Sequence, residues 1–233
     1  MSSTNNDSPG RSPESGPPTG EAAILASLQT GLRAIPGSLG IATTLSHIGE
    51  HALGWLAISG AGWALARRRG DVRAQQLWLE AGVGAFGAHA ASVIIKRIVR
   101  RPRPAHPAIA IGVSTPSKLS FPSSHATSTT AAAILIGRAA GWDPKVLPVV
   151  LVPPMLLSRL VLGVHYPTDV TAGVAIGAAS AAAVIVGDAD RLTPAAHSVD
   201  LAARLGRQGV LFEFTLLDKV GHMSNLVARV VIA

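Results

Sequence analysis

Five apolar runs constrain this chain more than any other feature. They cover roughly residues 45–66, 77–95, 126–140, 146–164 and 170–186, with polar or basic stretches between them. About 20 apolar residues suffice for a helix to cross a bilayer, and inside lipid only helices and closed barrels satisfy their own backbone. Charged residues make up 14% of the chain, against about 25% in soluble domains. The expected fold class is therefore all-α: an integral-membrane helical bundle of about five spans, preceded by a short N-terminal amphipathic helix. Gly173 and Gly177 form a GxxxG pair that lets helices approach closely, and Pro153 and Pro154 are expected to kink the fourth span.

The ends read differently. Residues 1–20 are mostly Ser, Pro, Gly, Asn and Thr and read as a disordered tail. Residues 21–35, EAAILASLQTGLRAI, are too short to span and suit the membrane interface. The membrane-embedded domain is expected over 21–187. Charges return over 188–233, a C-terminal tail without an assigned role, in which 198–206 has the pattern of an amphipathic helix. No basic region followed by an apolar core marks a signal peptide at the start. The chain has no Cys, which excludes disulfide and thiolate chemistry.

The net charge is +7, and the cations flank the apolar runs, a pattern that fits lipid or phosphate better than nucleic acid. The loop RRRGDVR, residues 67–73, is expected in the cytoplasm by the positive-inside rule. Span parity then puts the end of the second span, the start of the third and the end of the fourth together on the opposite, extracytoplasmic face. A second basic cluster, Lys96, Arg97, Arg100, Arg101 and Arg103, sits on that face. Topology does not require it, so a phosphate site is its expected purpose.

Three blocks carry chemistry there. In KRIVRRPRP, Lys96 precedes Arg103 by seven positions and Pro104 follows. Arginine offers paired donors to phosphate oxygens and lysine a point charge, although a plain basic membrane flank looks the same. In FPSSHATS, Ser123 and Ser124 precede a helix whose N-terminus attracts anions, and His125 is placed to transfer a proton. A simple cap with an incidental histidine reads equally well. In SRLVLGVHYPTD, Arg159 sits near the end of an apolar run, where an unpaired charge is costly; a snorkelling arginine is the bland alternative. Asp169 lies four residues after His165, within reach of its imidazole, the orienting logic of a catalytic triad.

Order, spacing and identity of these blocks resemble the three motifs of the type 2 phosphatidic acid phosphatase family, K-x6-R-P, P-S-G-H and S-R-x5-H-x3-D. Lys96, Arg103 and Pro104 match the first, Pro122, Ser123 and His125 the second, and Ser158, Arg159, His165 and Asp169 the third. Ser124 stands where the family usually has Gly. The resemblance covers roughly residues 45–187. It implies a metal-independent phosphoric monoester hydrolase that needs no cofactor. His165 is the implied nucleophile, Asp169 its orienter and His125 the acid and base. Lys96, Arg103, Ser123, Ser124 and Arg159 are the implied phosphate-binding residues. SHIGEH, FPSSHATSTTAAAIL and LVPPMLLSRLVLGVHYP further resemble an actinobacterial branch assigned as decaprenylphosphoryl-5-phosphoribose phosphatase. That branch implies a bacterial plasma-membrane enzyme of cell-wall arabinan precursor synthesis. Polyprenyl pyrophosphate, phosphatidic acid and phosphatidylglycerophosphate are alternative substrates.

Other readings compete. Haloperoxidases share the phosphate pocket but carry long insertions, whereas only 17 residues separate Pro104 from Pro122. His47, Glu50 and His51 spell H-x-x-E-H, which on one helix would be a zinc-peptidase motif. The same three residues also suit the rim of a phosphatase mouth, touching the substrate's sugar. A non-enzymatic membrane scaffold leaves His125, His165 and Asp169 without a task. His89, His106, His197 and His222 read as incidental.

Overall fold

The computed structural model describes residues 16–192, 212–216 and 226–230. They fall into two compact units, Met1–Ala181 and Ala182–Ala233. The helices, in chain order, are α1 (Gly20–Arg33), α2 (Ser38–Ile48), α3 (Leu53–Arg68), α4 (Val72–Val99), α5 (Ser124–Ala140), α6 (Val146–Val161) and α7 (Pro167–Leu192), with a 3-10 turn at Glu50–Ala52. Strands β1 (Phe212–Leu216) and β2 (Leu226–Val230) pair antiparallel in the second unit, so the all-α expectation holds for the first unit and not for the C-terminal segment. Most of the expected N-terminal tail and the expected helix at 198–206 lie outside the described residues.

Each expected span after the first has a helix of its own. The first divides. Residues 45–48 close α2, and an α-helix resumes only at Leu53. The break follows from the backbone: His51 and Ala52 take left-handed φ values of 50° and 60°, and the turn closes against Gly54, where a Cβ would meet the Ile48 carbonyl at 2.5 Å. Among the described residues two helices are long and apolar enough to cross a membrane, Val72–Val99 and Pro167–Asp188. Helices α3, α5 and α6 have 16, 17 and 16 residues, ~24–26 Å each, somewhat short of a ~30 Å hydrocarbon core. Helix α6 continues without a break through Pro153 and Pro154.

Apolar side chains face outward as well as inward. Phe86, Ile94 and Ile98 on α4 are 54%, 60% and 74% exposed. Outward apolar faces on long helices are what lipid requires and water penalises. The chain is a membrane protein.

Helix α5 is the centre of the bundle. Every residue from Ala126 to Ala133 is buried, and most are Ala, Ser or Thr. Small residues let neighbours approach, and the hydroxyls turn back onto their own helix: Thr127 Oγ1 donates to Ser123 O at 2.9 Å and Thr130 Oγ1 to Ala126 O at 2.8 Å. Helix α7 packs against it through the GxxxG pair. A Cβ on Gly177 would sit 2.4 Å from Thr127 O, and one on Gly173 2.8 Å from Ala126 Cβ.

The amphipathic N-terminal helix is docked rather than free in the interface. Leu25 is fully buried in a cluster with Ile109, Ala126, Leu160 and Val170. Gln29 Nε2 donates to Ala110 O (2.7 Å) and Val161 O (3.0 Å), and its Oε1 accepts from Ala110 N (2.9 Å).

Candidate active site

One end of the bundle collects the end of α4, the loop 100–123, the start of α5, the end of α6 and the start of α7. These segments other than α7, with His165 and the α2–α3 turn, enclose a cavity of about 720 Å³. Lys96, Arg103, Ser124, His125, Arg159 and His165 line it, as do His47, Glu50 and His51. The three blocks predicted to share one face therefore share one cavity.

His165 is fixed by the turn before it. Gly163 ends α6 at φ +68°, where a Cβ would meet Ala110 O at 2.6 Å. The His165 side chain is 3% exposed. Its Nε2 lies 3.3 Å from Arg103 Nη1. Arginine only donates, so Nε2 is the lone-pair nitrogen and Nδ1 carries the proton. Nδ1 faces Asp169 Oδ2 at 3.5 Å, an ion-pair contact longer than a good hydrogen bond. Burial first, then the charges of Arg103, Arg159 and Lys96, hold this imidazole well below the usual histidine pKa, so it is neutral at pH 7.

Asp169, fully buried, makes its shorter bonds elsewhere. Oδ1 accepts from Arg101 Nη1 at 2.9 Å and Oδ2 from Tyr166 N at 2.8 Å. Arg101 also donates to Thr168 Oγ1 at 2.7 Å, lies 4.1 Å over the Tyr166 ring and bonds Glu21 of α1. Glu21 Oε1 accepts from Thr168 N at 3.0 Å.

Two expected phosphate ligands have other attachments. Lys96 Nζ donates to the carbonyls of Leu119 (3.4 Å), Ser120 (3.0 Å) and Pro122 (2.7 Å), which uses all three of its protons and pins the loop. Ser123 does not line the cavity. Its N–H donates to Asp169 O at 2.9 Å, and its Oγ caps α5 by accepting from Ala126 N at 3.4 Å. The helix start presents Ser124 and His125 to the cavity instead, and their first-turn N–H groups have no partner within the helix.

Arg103 is held by Ser117 O (2.8 Å, from Nε) and Val164 O (2.6 Å, from Nη1), and burial lowers its pKa to about 10, still cationic at pH 7. Arg159 differs. It is 2% exposed, and its Nε and Nη1 are buried with no hydrogen-bond partner. His125 Nε2 donates to Ser46 O at 2.9 Å, a bond only the protonated nitrogen can make to a carbonyl. Gly49 permits this packing, since a Cβ there would meet His125 Cδ2 at 2.7 Å.

The H-x-x-E-H segment straddles the end of α2, so His47 and His51 do not share a helix face. Each lies 3.9 Å from Glu50. Among the described residues no three His, Asp or Glu side chains converge as metal ligands. The zinc-peptidase reading fails on this backbone, and the rim reading is the one compatible with the cavity.

The family model described as the PAP2 superfamily matches residues 77–192. The decaprenylphosphoryl-5-phosphoribose phosphatase of Mycobacterium tuberculosis (strain CDC 1551 / Oshkosh) is 59% identical over 168 residues, 72% of this chain and 90% of that protein. The chain belongs to the PAP2 superfamily. A protein of the same name from Mycolicibacterium smegmatis is 57% identical over 156 residues, 67% of this chain and 82% of its own. Two solved structures share the PAP2 fold. The transmembrane PAP2 type phosphatidylglycerolphosphate phosphatase from Bacillus subtilis has a TM-score of 0.57 at 22% identity, covering 74% of this chain and 87% of that one. A bacterial vanadium-dependent iodoperoxidase has a TM-score of 0.55 at 17% identity, covering 74% and 52%.

Sequence reasoning missed several cavity or network residues of this PAP2 chain. Arg101 was one basic residue in a run, and nothing in KRIVRRPRP says which arginine meets Asp169. Glu21 is 148 positions from Asp169 in the chain. His89, read as incidental, lines the cavity with a buried, unpartnered Nδ1.

Proposed function

We propose that the chain is a membrane lipid phosphatase that removes the 5-phosphate of decaprenylphosphoryl-5-phosphoribose and leaves decaprenylphosphoryl-ribose. The relatives that carry that name match this chain over 90% and 82% of their own lengths. The observation that carries the chemistry is Arg159: a buried guanidinium with two unpartnered nitrogens, opening on the same cavity as the neutral His165 and as His125. Buried charge of that kind calls for an anion.

In this reading the phosphoryl oxygens meet Arg159, Arg103 and the first-turn amides of α5. His165 Nε2 attacks phosphorus, and the phosphorus–ester oxygen bond breaks as the phosphohistidine forms. With the phosphate bound, His125 takes up a second proton, on Nδ1, from the substrate monoester or solvent, and gives that proton to the leaving ribose oxygen. It then takes one from the water that attacks phosphorus, which releases inorganic phosphate and restores His165. Because Nε2 of His125 is tied to Ser46, Nδ1 is its transferring atom. Asp169 holds the imidazolium character that His165 acquires, and fixed cations match the charge spread over the transition state. Lys96 keeps the loop in place. No metal enters these steps.

Helices α3 to α7 make five spans, α1 docks at the interface, and the cavity opens on the extracytoplasmic face of a plasma membrane, opposite residues 67–73. The test is a phosphate-release panel on purified protein comparing prenylphosphoryl-5-phosphoribose, a polyprenyl pyrophosphate, phosphatidic acid and phosphatidylglycerophosphate. The first is expected to have the highest kcat/KM, with vanadate inhibiting and EDTA without effect. His165→Ala with near wild-type turnover would refute the nucleophile, and preference for another lipid would refute the substrate.

A further inference from the structure

The cavity holds more positive charge than one phosphate needs. Lys96, Arg97, Arg100, Arg103 and Arg159 line it, against the single carboxylate of Glu50. Three of those cations have work already. Lys96 spends its protons on loop carbonyls, Arg103 is bonded to two carbonyls and faces His165, and Arg159 opens on the reacting end. Arg97 and Arg100 are exposed and make no ion pair among the described residues.

Arg100 also occupies an unusual backbone position. It caps α4 in the left-handed region, φ 56° and ψ 29°, where glycine ordinarily ends a helix. Of the three non-glycine residues with positive φ among those described, His51, Ala52 and Arg100, two line this cavity. Backbone strain of this kind persists where surrounding structure enforces it and concentrates at ligand sites. The rings of His51 and His89 lie 5.9 Å apart on the same cavity wall. If the cavity is extracytoplasmic, charge topology disfavours these two arginines there, and a ligand is a physical reason for them.

We infer that Arg97 and Arg100, with His51 and His89 beside them, form a second anion subsite that takes a phosphodiester one sugar ring away from the phosphate being hydrolysed. This rests on the phosphoribose reading above, whose substrate carries a monoester at one end of the ribose and a phosphodiester at the other. Arg100 lies four residues beyond Lys96, ~6 Å along the axis, which sets its cation apart from the reacting end on the scale of one sugar ring. The subsite would distinguish this lipid from phosphomonoesters without a second charge.

The experiment uses full-length protein in neutral detergent and two substrates. One is prenylphosphoryl-5-phosphoribose; the other is a riboside 5-phosphate bearing the same chain through a plain ether. The variant is Arg97→Ala combined with Arg100→Gly, because glycine suits the left-handed backbone and keeps the helix end intact. The ratio of kcat/KM for the first substrate over the second is expected to fall at least tenfold. Inhibition by the product prenylphosphoryl-ribose is expected to weaken by a similar factor. Arg100→Lys, which keeps the charge, is expected to recover part of the ratio. Equal losses on both substrates, or an unchanged ratio, would overturn the subsite. A loss appearing only in phosphatidylglycerol vesicles, equal for both substrates, would assign the arginines to bilayer headgroups and overturn it too. Failure of the phosphoribose reading looks different: wild-type protein would leave both ribosides intact while hydrolysing phosphatidic acid.

Discussion

Replacing Arg159 with Met should make the empty protein more stable and the enzyme nearly dead. Arg159 is 2% exposed and leaves Nε and Nη1 buried without partners. Each orphaned donor costs ~1–3 kcal/mol. Methionine removes both while filling much of the volume of the aliphatic stem, so the variant should gain about 2–4 kcal/mol, taking the lower part of the summed range because a small void remains. For a chain of this size that corresponds to a rise in Tm on the order of 5–15 °C. The same change removes a cation from the developing charge on phosphorus, and turnover should fall ~10²–10³-fold. The assay is thermal unfolding in detergent with and without vanadate, beside phosphate release. Vanadate should raise the Tm of wild type and leave the variant nearly unmoved. A variant that melts lower than wild type without ligand, or that keeps the vanadate shift, would refute the claim that this guanidinium waits for an anion.

Three further outcomes are expected. Arg101→Ala removes the 2.9 Å bond to Asp169 and the link to Glu21; kcat should fall ~10–100-fold with KM little changed, from charged hydrogen bonds worth ~1.5–3 kcal/mol, and Glu21→Gln should give a smaller loss of the same kind in steady-state kinetics. Gly49→Ala places a Cβ 2.7 Å from His125 Cδ2, so turnover should drop while circular dichroism stays helical. The depressed pKa of His165 means that the unfolded chain takes up a proton near pH 6.5 while the native imidazole does so only well below; stability from this group is complete above about pH 6.5 and declines as pH falls beneath it, as melting curves across pH 5–8 would record.

The blocks were legible in their spacing: His165 and Asp169 are four apart, Lys96 and Arg103 seven. Lys96, Arg103, His125, Arg159 and His165 were expected on one face, and they line one cavity. The first helix boundary was not legible, since His51 and Ala52 are ordinary residues held in left-handed conformations by packing around Gly54. Ser123 and Lys96 had the right identity for phosphate ligands, yet their atoms serve Asp169 O and the loop carbonyls. A sequence names donors without saying which acceptor is nearer. Arg101 and Glu21 escaped for the same reason: their partners lie far away in the chain.

The clamp of Glu21 on Arg101 and Thr168 joins groups 80 and 147 residues apart. On a ribosome, Glu21 emerges 147 residues before Thr168, which appears only as α7 begins. The Asp169 network therefore closes after every other helix of the bundle has been made. On the proposed mechanism, a chain stalled during insertion would carry Arg103 and His125 but no braced His165, which would defer phosphatase action on nearby lipids until synthesis has passed α7.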